Sequence, residues 1–127
     1  MKLRTTNNSI RIRIRKSELL QLKKDGRVEE QINFGNEVVF SFTLVIDKET
    51  EAINGSLEAN TLVVRIPNTT AINWIESNEV SIESVSKVSE TEELQILVEK
   101  DFPCLDRPNE DKSDTFWELV PQNEKTC

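Results

Sequence analysis

Ser9-Ile10-Arg11-Ile12-Arg13-Ile14-Arg15 alternates without a break between apolar and cationic side chains. A strand sends successive side chains to opposite faces, so Ile10, Ile12 and Ile14 line one face and Arg11, Arg13 and Arg15 the other. The chain has a formal net charge of −7, yet three of its seven arginines stand in this one row. Neighbouring arginines on one strand face are about 7 Å apart and repel by roughly 2 kcal/mol at an effective dielectric near 20. The row must therefore face solvent, be paired with carboxylates such as Glu29, Glu83 or Glu99, or hold an anion, with Arg4, Lys16 or Arg65 assisting.

The remaining chain supplies short strands and two short helices. Ser17 is placed to cap a helix over Glu18–Lys24, with Gly26 as its stop. Arg27–Phe34 alternates, Gly35-Asn36 signals a two-residue hairpin turn, and Val38–Ile46 is the strongest strand pattern. Further strands are expected at Ala52–Glu58, Thr61–Ile66, Val80–Val85 and Leu94–Asp101, with a second helix capped by Thr69 or Thr70 after Pro67. The count is about seven strands and two short helices, joined by connections too short for repeated parallel crossovers. That pattern implies an α+β fold, a mostly antiparallel sheet or partly closed barrel with helices packed against it. No segment reads as a repeat of another. One domain is expected over 1–103, with an acidic C-terminal tail at 104–127.

The composition excludes much chemistry. With no histidine and no tyrosine in 127 residues, Ser-His-Asp and Cys-His catalysis and imidazole metal sites are all ruled out. The excess of 23 acidic over 16 basic residues disfavours broad nucleic-acid binding, though a local cationic patch escapes that argument. No run approaches a membrane span, no signal peptide is visible, and two cysteines make no disulfide framework, so a cytoplasmic location is expected.

Four groups of residues carry chemistry. Arg11, Arg13, Arg15 and Arg65 are the candidate anion ligands. Glu99 and Asp101, at the charged end of an otherwise apolar strand, are candidate metal ligands, or else ion-pair partners at a sheet edge. Cys104 is a candidate thiolate or, more plainly, a small buried hydrophobe. Asp106, Glu110, Asp111 and Asp114 offer oxygen donors without the spacing or glycine of a calcium loop.

Met1-Lys2-Leu3-Arg4, Ser9–Arg13, Gly26–Glu30, Phe34-Gly35 and Leu97-Val98-Glu99-Lys100-Asp101-Phe102-Pro103-Cys104-Leu105 together resemble a family of small uncharacterised bacterial proteins without an assigned activity. The arginine-alternating strand is also similar to the triphosphate tunnel (CYTH-type) enzymes, which bind polyphosphate and a divalent metal inside a β-barrel. Their Glu-x-Glu-x-Lys near the N-terminus is absent, the nearest echo being Glu99-Lys100. The leading expectation is a non-enzymatic binding module, without a cofactor, whose arginine face meets an anionic small molecule or an acidic protein segment. The alternative is a magnesium-dependent phosphohydrolase, with the arginines clamping phosphates and Glu99 and Asp101 holding the metal. A third reading has the arginines satisfied by internal ion pairs.

Overall fold

The alternating run forms a strand, β2 (Ser9–Ile14), and the residues before it form another, β1 (Lys2–Thr6). The turn between them, Asn7-Asn8, holds both residues at positive φ (47° and 57°), which asparagine tolerates and which suits the twist of a two-residue hairpin. The computed structural model describes residues 1–101. Beyond the first hairpin come α1 (Lys16–Asp25), β3 (Arg27–Asn33), β4 (Val39–Asp47), β5 (Asn54–Glu58), β6 (Thr61–Pro67), α2 (Asn68–Glu76), β7 (Ser81–Lys87) and β8 (Glu93–Lys100).

The fold class is α+β, but the sheet differs from the expectation. The described residues form two four-stranded sheets, ordered β1-β2-β8-β7 and β3-β4-β6-β5, and neither closes into a barrel. The eighth strand is β1, whose short Lys-Leu-Arg-Thr-Thr run has one strongly apolar residue to betray it. Each sheet is mixed: its central pair (β2 with β8, β4 with β6) is parallel, flanked by antiparallel pairs. Short connections do not forbid this, because β2 and β8 are parallel without being consecutive. The boundary expected after residue 103 lies outside the described residues.

Local details shift as well. Helix α1 starts two residues earlier than a Ser17 cap implies: Arg15 is its N-cap, and the Glu18 carboxylate accepts the Arg15 backbone N–H at 2.9 Å. Gly26 ends the helix in the left-handed region (φ 73°), its N–H bonding Leu22 O at 2.8 Å. Pro67, not a threonine, precedes α2. The β3–β4 tip is longer than two residues: Phe34 N–H bonds Val38 O, and Gly35, Asn36 and Glu37 all have positive φ.

The chain is a tandem duplication in structure. Each half reads strand, strand, helix, strand, strand: β1-β2-α1-β3-β4, then β5-β6-α2-β7-β8. Matching hydrogen bonds recur in both. Ala59-Asn60 repeats the positive-φ turn of Asn7-Asn8. Gln95 N–H reaches Asn8 O as Ser41 N–H reaches Asn60 O; Ile46 N–H reaches Gly26 O as Lys100 N–H reaches Val80 O, both at 2.9 Å; Val88 and Glu92 close their turn as Phe34 and Val38 do. Each sheet takes one hairpin from each half. Helix, strand and turn positions match, while most residue types do not.

The two sheets face each other across one core. Ile12, Ile14, Ile96 and Val98 from the first sheet meet Phe42, Leu44, Leu62, Val64 and Ile66 from the second, with Leu22 of α1 and Ala71 and Trp74 of α2 in the same cluster. Contact is close at Gly55, where an added Cβ would lie 3.2 Å from Ile96 Cδ1. Trp74 is fully buried and donates its indole N–H to Val80 O at 3.1 Å. No helix among the described residues is long and apolar enough to cross a membrane.

Candidate functional site

Burying Ile12 and Ile14 turns Arg11 and Arg13 to the outer face of the first sheet, and the strand register sorts their neighbours into three rows. Lys2, Arg13, Glu99 and Ser81 form one row; Arg4, Arg11, Leu97 and Glu83 the next; Thr6, Ser9, Gln95 and Val85 the third. Two cross-strand pairs therefore set cation against cation, Lys2 opposite Arg13 and Arg4 opposite Arg11, an arrangement that is destabilising by itself.

Glu99 neutralises the centre. Its Oε1 accepts Arg11 Nε at 2.9 Å and a terminal Arg11 nitrogen at 2.8 Å, and it also accepts Arg13 Nε. The carboxylate is 5% exposed, sheltered beneath the two guanidiniums. Asp101, just past the end of β8, pairs with Lys2 at 3.2 Å.

Arg4 is different. It is exposed, and it has no hydrogen-bond or ion-pair partner among the described residues. Its row holds Arg11 and then Leu97, so among the described residues no carboxylate stands beside it in that row. Arg4 and Arg11 line a shallow cavity of about 190 Å³ together with Thr6, Ser9, Ile10, Gln95 and Leu97. The turn that ends this cavity is fixed to β8 by Asn8 Nδ2 donating to Glu93 O at 2.7 Å, and Ser9 Oγ donates to Thr6 O. An anion entering here would meet two guanidiniums, small hydroxyls and one carboxamide over an apolar floor.

The sequence-derived candidates separate in space. Arg11, Arg13 and Glu99 come together. Arg15 lies beyond the strand end and bonds Glu18 at 3.2 Å at the start of α1, where Lys16 is also exposed. Arg65 belongs to the second sheet, where Asn54 Oδ1 (3.2 Å), Ser56 Oγ (2.9 Å) and Glu58 (3.8 Å) surround it. Of the suggested pairing carboxylates, Glu99 is in place; Glu29 is on the other sheet with Arg27, and Glu83 stands across Leu97 from Arg11. Glu99 and Asp101 act as counter-ions to the basic residues. Among the described residues no three His, Cys, Asp or Glu side chains gather so as to hold a metal ion. Cys104, Asp106, Glu110, Asp111 and Asp114 lie outside the described residues. Lys2 was not among the sequence candidates; the Asn-Asn turn, followed by an alternating strand, was the signal that a partner strand carrying Lys2 and Arg4 precedes it.

The model of a family of unknown function (DUF7009) matches residues 1–119 of the chain. No curated protein and no solved structure matches it.

Proposed function

Because the chain belongs to that family of unknown function, its relatives lend it no activity, and we propose on its own geometry that it is a non-enzymatic binding module. Its cationic face, centred on Arg4 and Arg11, takes an anionic group, either a small molecule or part of an acidic partner. The observation that carries this reading is Arg4: an exposed guanidinium, directly opposite a second one, lining a cavity to which the described residues bring no carboxylate. A planar fork of donors suits carboxylate or phosphate, and Arg4 offers such a fork whole, while Arg11, two of whose nitrogens bond Glu99, adds positive charge beside it. Glu99 and Asp101 support binding over acid–base or metal chemistry, since each is already held by a basic side chain.

The test is a thermal melt titrated with citrate and with tripolyphosphate. A ligand at about 100 times its dissociation constant adds roughly 2.7 kcal/mol to stability. We expect a saturable rise that Arg4→Glu removes. That substitution places a carboxylate opposite Arg11, so without ligand the variant should melt higher than the parent, by the equivalent of up to about 1 kcal/mol. A flat response to both anions, or a response that survives Arg4→Glu, would overturn the proposal.

A further inference from the structure

The duplication offers an internal comparison for this face. In the second sheet the edge strand β5 turns Asn54, Ser56 and Glu58 toward Arg65, so that the inner arginine receives oxygen acceptors from its own edge. The matching edge of the first sheet is β1, and at the same positions it carries Lys2, Arg4 and Thr6. One edge neutralises its neighbour; the other adds to its charge. Among the described residues β1 pairs on one side alone, with β2, and four of its five residues are exposed, with Leu3 half-buried. An unpaired strand edge is a row of backbone donors and acceptors open to another strand.

We propose that β1 is the docking edge for an extended acidic protein segment, which adds to the sheet as a further strand. Resting on the reading that this face takes anions, the inference names the partner by its chemistry. Side chains of an added strand stand directly opposite those of β1, so acidic residues at alternate positions meet Lys2 and Arg4, and the residue between them lies over Leu3. The recognised pattern is acidic–apolar–acidic. Backbone pairing supplies affinity and the alternate side chains supply selectivity. The same cations stop two copies of the chain from joining edge to edge, because Lys2 and Arg4 would meet like charge.

The experiment measures binding of a fluorescent, six-residue alternating Glu-Val peptide to the whole protein by anisotropy. Three comparisons accompany it: a block peptide of the same composition, an alternating peptide N-methylated at every second residue, and unlabelled citrate as competitor. We expect the alternating peptide to bind about tenfold more tightly than either control peptide, and to lose about tenfold on Arg4→Glu. It should also protect β1 amides from hydrogen exchange. Equal affinity for the three peptides, with citrate still competing, would overturn strand addition and leave the anion face standing. Binding of neither peptide nor citrate would overturn both.

Discussion

Glu99→Gln tests the electrostatics of the site most directly. The Glu99 side chain is 7% exposed and holds two arginine side chains that are themselves 28% (Arg11) and 16% (Arg13) exposed. Removing one partner of a buried ion pair costs roughly 3–5 kcal/mol, because the remaining charge loses its compensation. The partial exposure of the arginines brings the figure to the lower end, about 3 kcal/mol, of which some 2 kcal/mol is the unmasked repulsion between Arg11 and Arg13. In a chain of this size that is a fall in Tm of about 12 °C. The assay is urea unfolding at neutral pH in low salt and in about 1 M salt, where the screening length falls to about 3 Å and part of the loss should return. Arg11→Met/Arg13→Met/Glu99→Leu, which removes every member of the cluster, should be within about 1 kcal/mol of the parent or above it. The reasoning is refuted if Glu99→Gln costs under about 1 kcal/mol, or if the triple variant is as unstable as the single one.

Burial pushes Glu18 up, but hydrogen bonds from the Arg15 side chain, the Met1 amino group and the Arg15 backbone N–H outweigh it and hold the carboxyl at about 2, against an ordinary 4.5. A depressed carboxylate stabilises the fold above its unfolded value and loses that contribution as pH falls toward the folded one. Its contribution of about 3 kcal/mol at neutral pH should have lost about 2 kcal/mol by pH 3, and Glu18→Gln should flatten that part of the profile in urea melts. Thr43 is 1% exposed and its Oγ1 has no hydrogen-bond partner among the described residues, so Thr43→Val should raise stability by about 1 kcal/mol; a loss of similar size in calorimetry would point to a bond this geometry lacks. Lys100 donates to the carbonyls of Trp74 and Ser77, both at 2.8 Å, at the end of α2, with its Nζ 5.6 Å from the Trp74 ring centroid. Lys100→Met should cost about 1–3 kcal/mol by chemical denaturation, and an unchanged midpoint would show that the ammonium is not needed there.

Period-2 patterning made most strands legible. Val39–Asp47 and Glu93–Lys100 carry long apolar runs, and Ser9–Ile14 alternates, so each announces itself by side chain alone. Lys2–Thr6 does not, because an edge strand beside two inner strands needs little apolar surface, and Leu3 alone faces inward enough to be half-buried. Pairing between distant strands was also illegible: nothing in Arg13 or Glu99 specifies that residues on the second and last strands share a row. The repeat escaped because it lives in turn positions and strand lengths. Asn7-Asn8 matches Ala59-Asn60, and Arg13 matches Arg65, but Leu22 is matched by Trp74 and Glu30 by Ser84, so residue identity differs where backbone geometry agrees. Arg15 was placed in the row by its alternation; the strand ends one residue earlier, and the helix start claims it.

The exchange of hairpins between halves has a temporal consequence. On a ribosome the N-terminal half emerges first, and its β2 then has β1 on one side and nothing on the other. Arg11 and Arg13 leave the exit tunnel some 86 residues ahead of the carboxylate opposite Arg13, as the register of Arg13 with Glu99 dictates. The loop that must close is nearly the full length of the described chain, which places this pairing among the slow, non-local steps of folding. Until it closes, the nascent chain exposes a strand of cations beside open backbone. The cavity beside Arg4 and Arg11 is completed by this late pairing alone, because Gln95 and Leu97 of its lining arrive with β8.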